Sequence, residues 1–163
     1  MNNETATLFQ RLTRGAYVIG VAHEDRREIF AAASVMQASH RPLLLAIGVD
    51  PRHAAYPLMR AGRIFVVSVL KQDQFEAVRR FGSQTASDSL PWHCGRSGVP
   101  IVDDALAYFE CEMSAVMPSG DREIIVGRVM DCRIPDARGT ALPHANAVVP
   151  DRRAGLPAQQ FQL

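Results

Sequence analysis

The chain has 163 residues, 47% hydrophobic and 21% charged, which is the composition of a globular domain that buries its own core and excludes a chain disordered throughout. Its formal net charge of +1 supplies no field that would draw nucleic acid or an anionic membrane surface. No apolar run approaches the ~18–20 residues of a membrane span, and the start MNNETATLFQ does not read as a signal peptide.

In chain order, TATLFQRLTRG places Leu8, Phe9 and Leu12 on one helical face, with Gly15 to end it. AYVIGVAH is an apolar run of strand length, and EDRRE after it is a polar turn. IFAAASV follows, then RPLLLAIGV, in which Pro42 can only precede a strand. DPRHAAYPLMRAG reads as a turn and a short helix closed by Gly62. RIFVVSVL is β-branched and bounded by Gly62 and Lys71, a strand signature. DQFEAVRRFG carries a capping box, Asp73 with Glu76, and stops at Gly82. SQTASDSLPWHCGRSG has no periodicity and reads as a long surface loop.

YFECEMSAV alternates Phe109, Cys111, Met113 and Ala115 with Tyr108, Glu110, Glu112 and Ser114, giving one dry and one wet face. MPSGDRE is a turn and IIVGRVMDCRI the returning strand. Residues 1–135 are therefore expected to form the domain, and 136–163, rich in Pro, Ala and Arg, a C-terminal arm or tail. Strands dominate without a regular strand–helix rhythm, so the fold class is mainly β: an antiparallel barrel or sandwich with a few short peripheral helices.

Cys94, Cys111 and Cys132 lie far apart with no CxxC, which reads as reduced thiols of a cytoplasmic protein. His93 beside Cys94 has the form of half a metal site, but no second pair has ligand spacing, and no metal is expected. Neither GxGxxG after a strand nor a Walker sequence is present. The unusual feature is the small-residue run Ala31, Ala32, Ala33, Ser34. It serves either tight packing where strands cross or close approach of bare backbone to a flat ring or a phosphate.

The order of these segments resembles the flavin reductase-like, FMN-binding split-barrel family. RLTRGAYVIGVA is similar to its first strand. IFAAASVMQASHRPLLLAIGVD is similar to its flavin segment, in the family a TASSFxSVSxxPPL followed by an apolar strand ending in Asp. LMRAGRIFVVSVL resembles AGRFAVNVL, GVPIVDDALAYFEC resembles GxPxLxxALAxLEC, and SGDREIIVGRVMD resembles the GDHxxFVGEVxD hairpin. The likeness runs from about Arg11 to Asp131.

The resemblance implies a six-stranded, Greek-key split barrel, a homodimer, and reduction of FMN or FAD by NADH or NADPH, with reduced flavin passed to a partner monooxygenase. It places Ala31, Ala32, Ala33, Ser34 and Val35 along the flavin ring and Arg52 and His53 near the phosphate. Ser68 and Val69 fall at the far side of the ring, and Phe81 and Gly82 at the end of a helix closing over it. No catalytic residue is implied, because hydride transfer between stacked rings needs positioning more than acid–base help. Two departures stand out: AAAS replaces TASS, and Arg122 replaces the His of GDH. They leave open a second reading, a non-enzymatic FMN carrier, sensor or interaction module. A pyridoxamine-phosphate oxidase-like protein shares the barrel but not the basic phosphate clamp.

Overall fold

The computed structural model describes Leu8 and residues 11–74, 90–135 and 137–143. Among the described residues nine strands carry the fold: β1 (Tyr17–His23), β2 (Arg26–Ala32), β3 (Val35–His40), β4 (Leu43–Val49), β5 (Ile64–Val69), β6 (Trp92–Cys94), β7 (Pro100–Val102), β8 (Ala107–Ser119) and β9 (Arg122–Arg133). A short helix, α1 (Tyr56–Gly62), links β4 to β5.

Seven strands form one antiparallel sheet in the order β2-β1-β5-β8-β9-β4-β3. Its two outermost strands, β2 and β3, are consecutive in the chain and joined by Ala33–Ser34 alone. The sheet thus curls on itself as a split barrel. Its strand count is seven and not six, because VMQASH, polar and mostly exposed, forms an edge strand that no apolar alternation announces.

The inside of the barrel holds Ile19, Val21, Phe30, Leu45, Ile47, Val49, Phe65, Val67, Cys111, Met113 and Ile125. These are the alternate residues of six strands, as a half-buried sheet requires, and each large one buried there contributes about 1.5–3 kcal/mol. A second apolar layer lies outside the sheet. Val18, Ile29, Leu70, Leu90, Val102, Ala105 and Leu142 cluster there, and Val66 meets Val99 and Ile101. The covering layer is the β6–β7 ladder, paired His93 to Ile101. Residues 90–102, expected within or beside a surface loop, thus supply a lid for β1 and β5 built on buried Leu90, Val99 and Ile101. Contact is close enough that a Cβ on Gly20 would sit 2.0 Å from the Pro100 carbonyl oxygen.

The lid also corrects the expected wet face of β8, where Glu110 is only 8% exposed. The alternation itself breaks at Ser114. Met113 pairs with Gly127 but Ala115 with Val126, so Ser114 is an extra residue in a bulge. Parity flips there, exposing Ala115 and turning Val116 onto the barrel core.

Helix α1 begins with Pro57 in its first turn and ends in a left-handed Arg63 (φ 58°), whose N–H reaches the Met59 carbonyl at 3.1 Å. Gly62, expected as the stop, is its last helical residue. Leu8 and Leu12 are exposed. The helix expected from Asp73 lies outside the described residues beyond a short 3-10 turn, Gln72–Gln74. Past Pro135 the chain returns to the barrel. Ala141 bridges Lys71, Pro143 bridges Gly15, and Leu142 is buried between them.

Candidate functional site

The small-residue run sits where the barrel closes. Ala31 and Ala32 end β2, opposite Val18 and Tyr17 of β1. Ala33 and Ser34 form the connection, and Val35 opens β3 opposite Ile47. Strand alternation divides the run: Ala32 and Val35 pack against the barrel core, while Ala31 takes the face of Val18 under the outer layer. Ala31, Ala32, Ala33 and Val35 are half-buried, and Ser34 is exposed.

The Ser34 carbonyl accepts the Gly48 N–H at 2.8 Å. A Cβ on Gly48 would lie 3.1 Å from the Ser34 Cβ, tighter than ordinary contact. Gly48 therefore lets β4 pass close under the connection. In LAIGVD it is a glycine interrupting an apolar strand, the usual mark of close backbone approach, and the sequence does not say which backbone approaches.

The loop after β4 folds back over β2. The His53 ring lies 4.7 Å from the Phe30 ring, centroid to centroid, tilted by 37°. His53 Nδ1 accepts the Ala55 N–H at 3.1 Å, which fixes the ring's orientation. Arg52 is held by its neighbour: Nε and one terminal nitrogen donate to the two Asp50 carboxylate oxygens at 3.0 and 2.9 Å. That hydrogen bond, reinforced by the carboxylate charge, raises the Arg52 guanidinium above its ordinary value. The structure thus brings the small-residue run and the Arg52–His53 loop to one region through Phe30.

Ser68 and Val69 reach the same end of the sheet by register. Val69 and Ala32 are both Cα partners of Tyr17, and Ser68 and Ala31 are both partners of Val18. The Ser68 hydroxyl is buried and accepts the Val102 N–H at 3.2 Å, tying β5 to the lid. Phe81 and Gly82 lie outside the described residues.

Tyr17 stands between Ala32 and Val69, and its ring folds back over Gly15, where an added Cβ would meet the hydroxyl at 2.5 Å. Burial raises its phenol above the ordinary value. A second tyrosine ties α1 to the start of β9: the Tyr56 hydroxyl donates to the Glu123 carboxylate. Its phenol is raised by burial first and by that hydrogen bond second.

A depression of about 210 Å³, lined by Arg60, Arg63, Met113, Ser114, Ala115 and Val116, lies near the Ile64 end of β5, away from Val69 and the alanine run. Among the described residues no group of three or more His, Cys, Asp or Glu is placed to hold a metal ion. Nor is any helix there long and apolar enough to cross a membrane. The small side chains and backbone of the Ala31–Val35 run, with Tyr17 beside Ala32 and the Arg52 loop tied in through Phe30, make a seam that can hold a flat polar ring. They offer no dyad placed for nucleophilic attack.

Comparison with known proteins gives the same direction. The profile of the flavin reductase like domain matches residues 9–151. Diflavin flavoprotein A 1 of Synechocystis is 29% identical over 144 residues, covering 85% of this chain and 25% of that protein. The chain thus spans about a quarter of the length of these curated relatives. The FMN reductase (NADH) RutF 2 of Rhizobium rhizogenes is 29% identical over 117 residues, covering 69% of this chain and 67% of that protein. Among solved structures, the NADH:FAD oxidoreductase SgcE6 of Streptomyces globisporus, in complex with NAD and FAD fragments, is 26% identical with a TM-score of 0.79, covering 86% of each chain.

Proposed function

This chain belongs to the flavin reductase like domain family, and from that premise we propose that it takes up FMN or FAD at the Ala31–Val35 seam and reduces it with NADH or NADPH. The observation that carries this reading is the seam itself. A two-residue connection of small side chains, half-buried to exposed and with Gly48 close beneath it, supports the reading because no bulky side chain there would oppose a planar ring laid against the backbone. When bound, the flavin supplies hydride acceptance and onward electron transfer.

The chain's own residues position and exclude. Ala32 and Val35 set the floor, and Tyr17 and Val69 wall it on the β1–β5 side. The Phe30–His53 contact holds the Arg52 loop against β2. Productive stacking requires reacting atoms ~3–3.5 Å apart, which small, rigid strand residues permit and flexible bulky ones do not. Other parts of the reading follow the family: a homodimer, Phe81 and Gly82 closing over the ring, delivery of reduced flavin to a partner monooxygenase, and a cytoplasmic setting.

The test is steady-state oxidation of NADH or NADPH by purified protein with added FMN or FAD. Turnover with at least one pairing is expected, and its absence with all four overturns the reading. Ala33→Phe, in the connection and not on the core face, is expected to abolish flavin retention while circular dichroism and Tm stay near those of the unmodified chain. Unchanged flavin affinity in that variant would displace the site from the seam. A second reading, an FMN carrier without nucleotide turnover, is favoured by the alanine side chains at 31 and 33, which offer no hydroxyl to an incoming ring. Protein that stays yellow through gel filtration yet oxidises neither nucleotide supports that reading instead.

A further inference from the structure

One cation, three residues before Tyr17, has a buried nitrogen without a partner among the described residues. The Nε of Arg14 is buried with no hydrogen-bond acceptor. No hydrogen bond or ion pair engages the remainder of its guanidinium among the described residues. A guanidinium keeps its proton at any working pH, so this donor cannot relieve its burial by becoming neutral. A buried donor of that kind calls for an acceptor that arrives from outside.

Its position narrows what arrives. Arg14 precedes by three residues Tyr17, the shared partner of Ala32 and Val69. Tyr17 lies back over Gly15, so the chain carrying Arg14 stays against the end of that row. Arg52, the residue expected to meet a phosphate, is differently placed in charge: Asp50 holds it through two hydrogen bonds and opposes a second anion. Of the two, only Arg14 has no acceptor among the described residues.

We propose that Arg14 binds a phosphate group of the nucleotide held at the seam, an inference that rests on the flavin reading above. The phosphate belongs either to the flavin nucleotide or to the 2′-position of the nicotinamide nucleotide, and paired ligands separate the two. Unmodified protein, Arg14→Gln and Arg14→Lys are titrated with FMN against riboflavin, which differ by the phosphate, and with NADPH against NADH. Arg14→Gln is expected to weaken one phosphorylated member at least tenfold and leave its partner within twofold, with Arg14→Lys restoring part of the loss. The pair that splits identifies the source. Equal losses for both members of each pair, or no change in any of the four, overturn the proposal. If the unmodified protein takes up no flavin, the seam reading itself fails, and inorganic pyrophosphate then decides for Arg14. A rise in Tm that Arg14→Gln lacks supports the proposal, and no rise overturns it.

Discussion

Cys111 shows how one buried side chain sets a pH dependence. Its thiol is fully buried inside the barrel and pushed up to about 12, by burial first and by the charges of Glu110 and Cys132 second. An unfolded chain gives up that proton near 9.0, the ordinary value. Between those values the unfolded state binds fewer protons than the folded one, so stability falls as pH rises. Each pH unit in that window costs about 1.4 kcal/mol for one such group. Cys111→Ala is expected to remove this part of the slope in urea unfolding at pH 9 to 11, and an unaltered slope would show that the thiol titrates normally. Cys94 and Cys132, both exposed, are expected to react with a thiol reagent at pH 8 well before Cys111. The alternation in YFECEMSAV already puts Cys111 on the dry face, and the strands that complete its burial are distant in sequence.

At the scale of elements, Ser68 is the junction between barrel and lid. Its hydroxyl is the acceptor for the Val102 N–H in a buried setting, so Ser68→Ala leaves a buried donor unsatisfied at a cost of about 1–3 kcal/mol. Urea unfolding should show that loss, and amide exchange should quicken at Val102. Unchanged exchange would mean that the lid is held by Val99 and Ile101 alone. The strands legible in the sequence are those with continuous apolar or β-branched runs, β1, β4 and β5, and the hairpin of β8 and β9, announced by the alternation in YFECEMSAV and the turn after it. Strand β3 escaped because an edge strand with two wet sides carries no alternation to read. Strands β6 and β7, three residues each, were hidden because so short a ladder follows from what it covers and not from its own propensity. The candidate site was legible as far as its small residues, which local sequence displays. Tyr17 and Gly48 were not recognised, since their roles come from register across strands.

For the molecule as a whole, no layer among the described residues covers the outer face of β3-β4-β9-β8. Met36, 61% exposed, shares a row with Ala46, Val126 and Ala115; Met117, 54% exposed, shares the next with Ile124 and Gly48. An apolar sheet face of this kind suits a second copy, for which a stable interface needs about 800 Å² from each partner. Gel filtration with light scattering is expected to give a dimer, and Met36→Lys combined with Met117→Glu a monomer with unchanged circular dichroism. A monomeric unmodified chain would assign that face elsewhere.

The barrel's first and last strands are chain neighbours, so its circumference is fastened covalently by the Ala33–Ser34 peptide as well as by ladders of hydrogen bonds. That clasp sets the diameter of the hoop. A backbone nicked between those two alanine and serine positions would free both rims together, and the cylinder would be at liberty to relax toward an open, twisted ribbon.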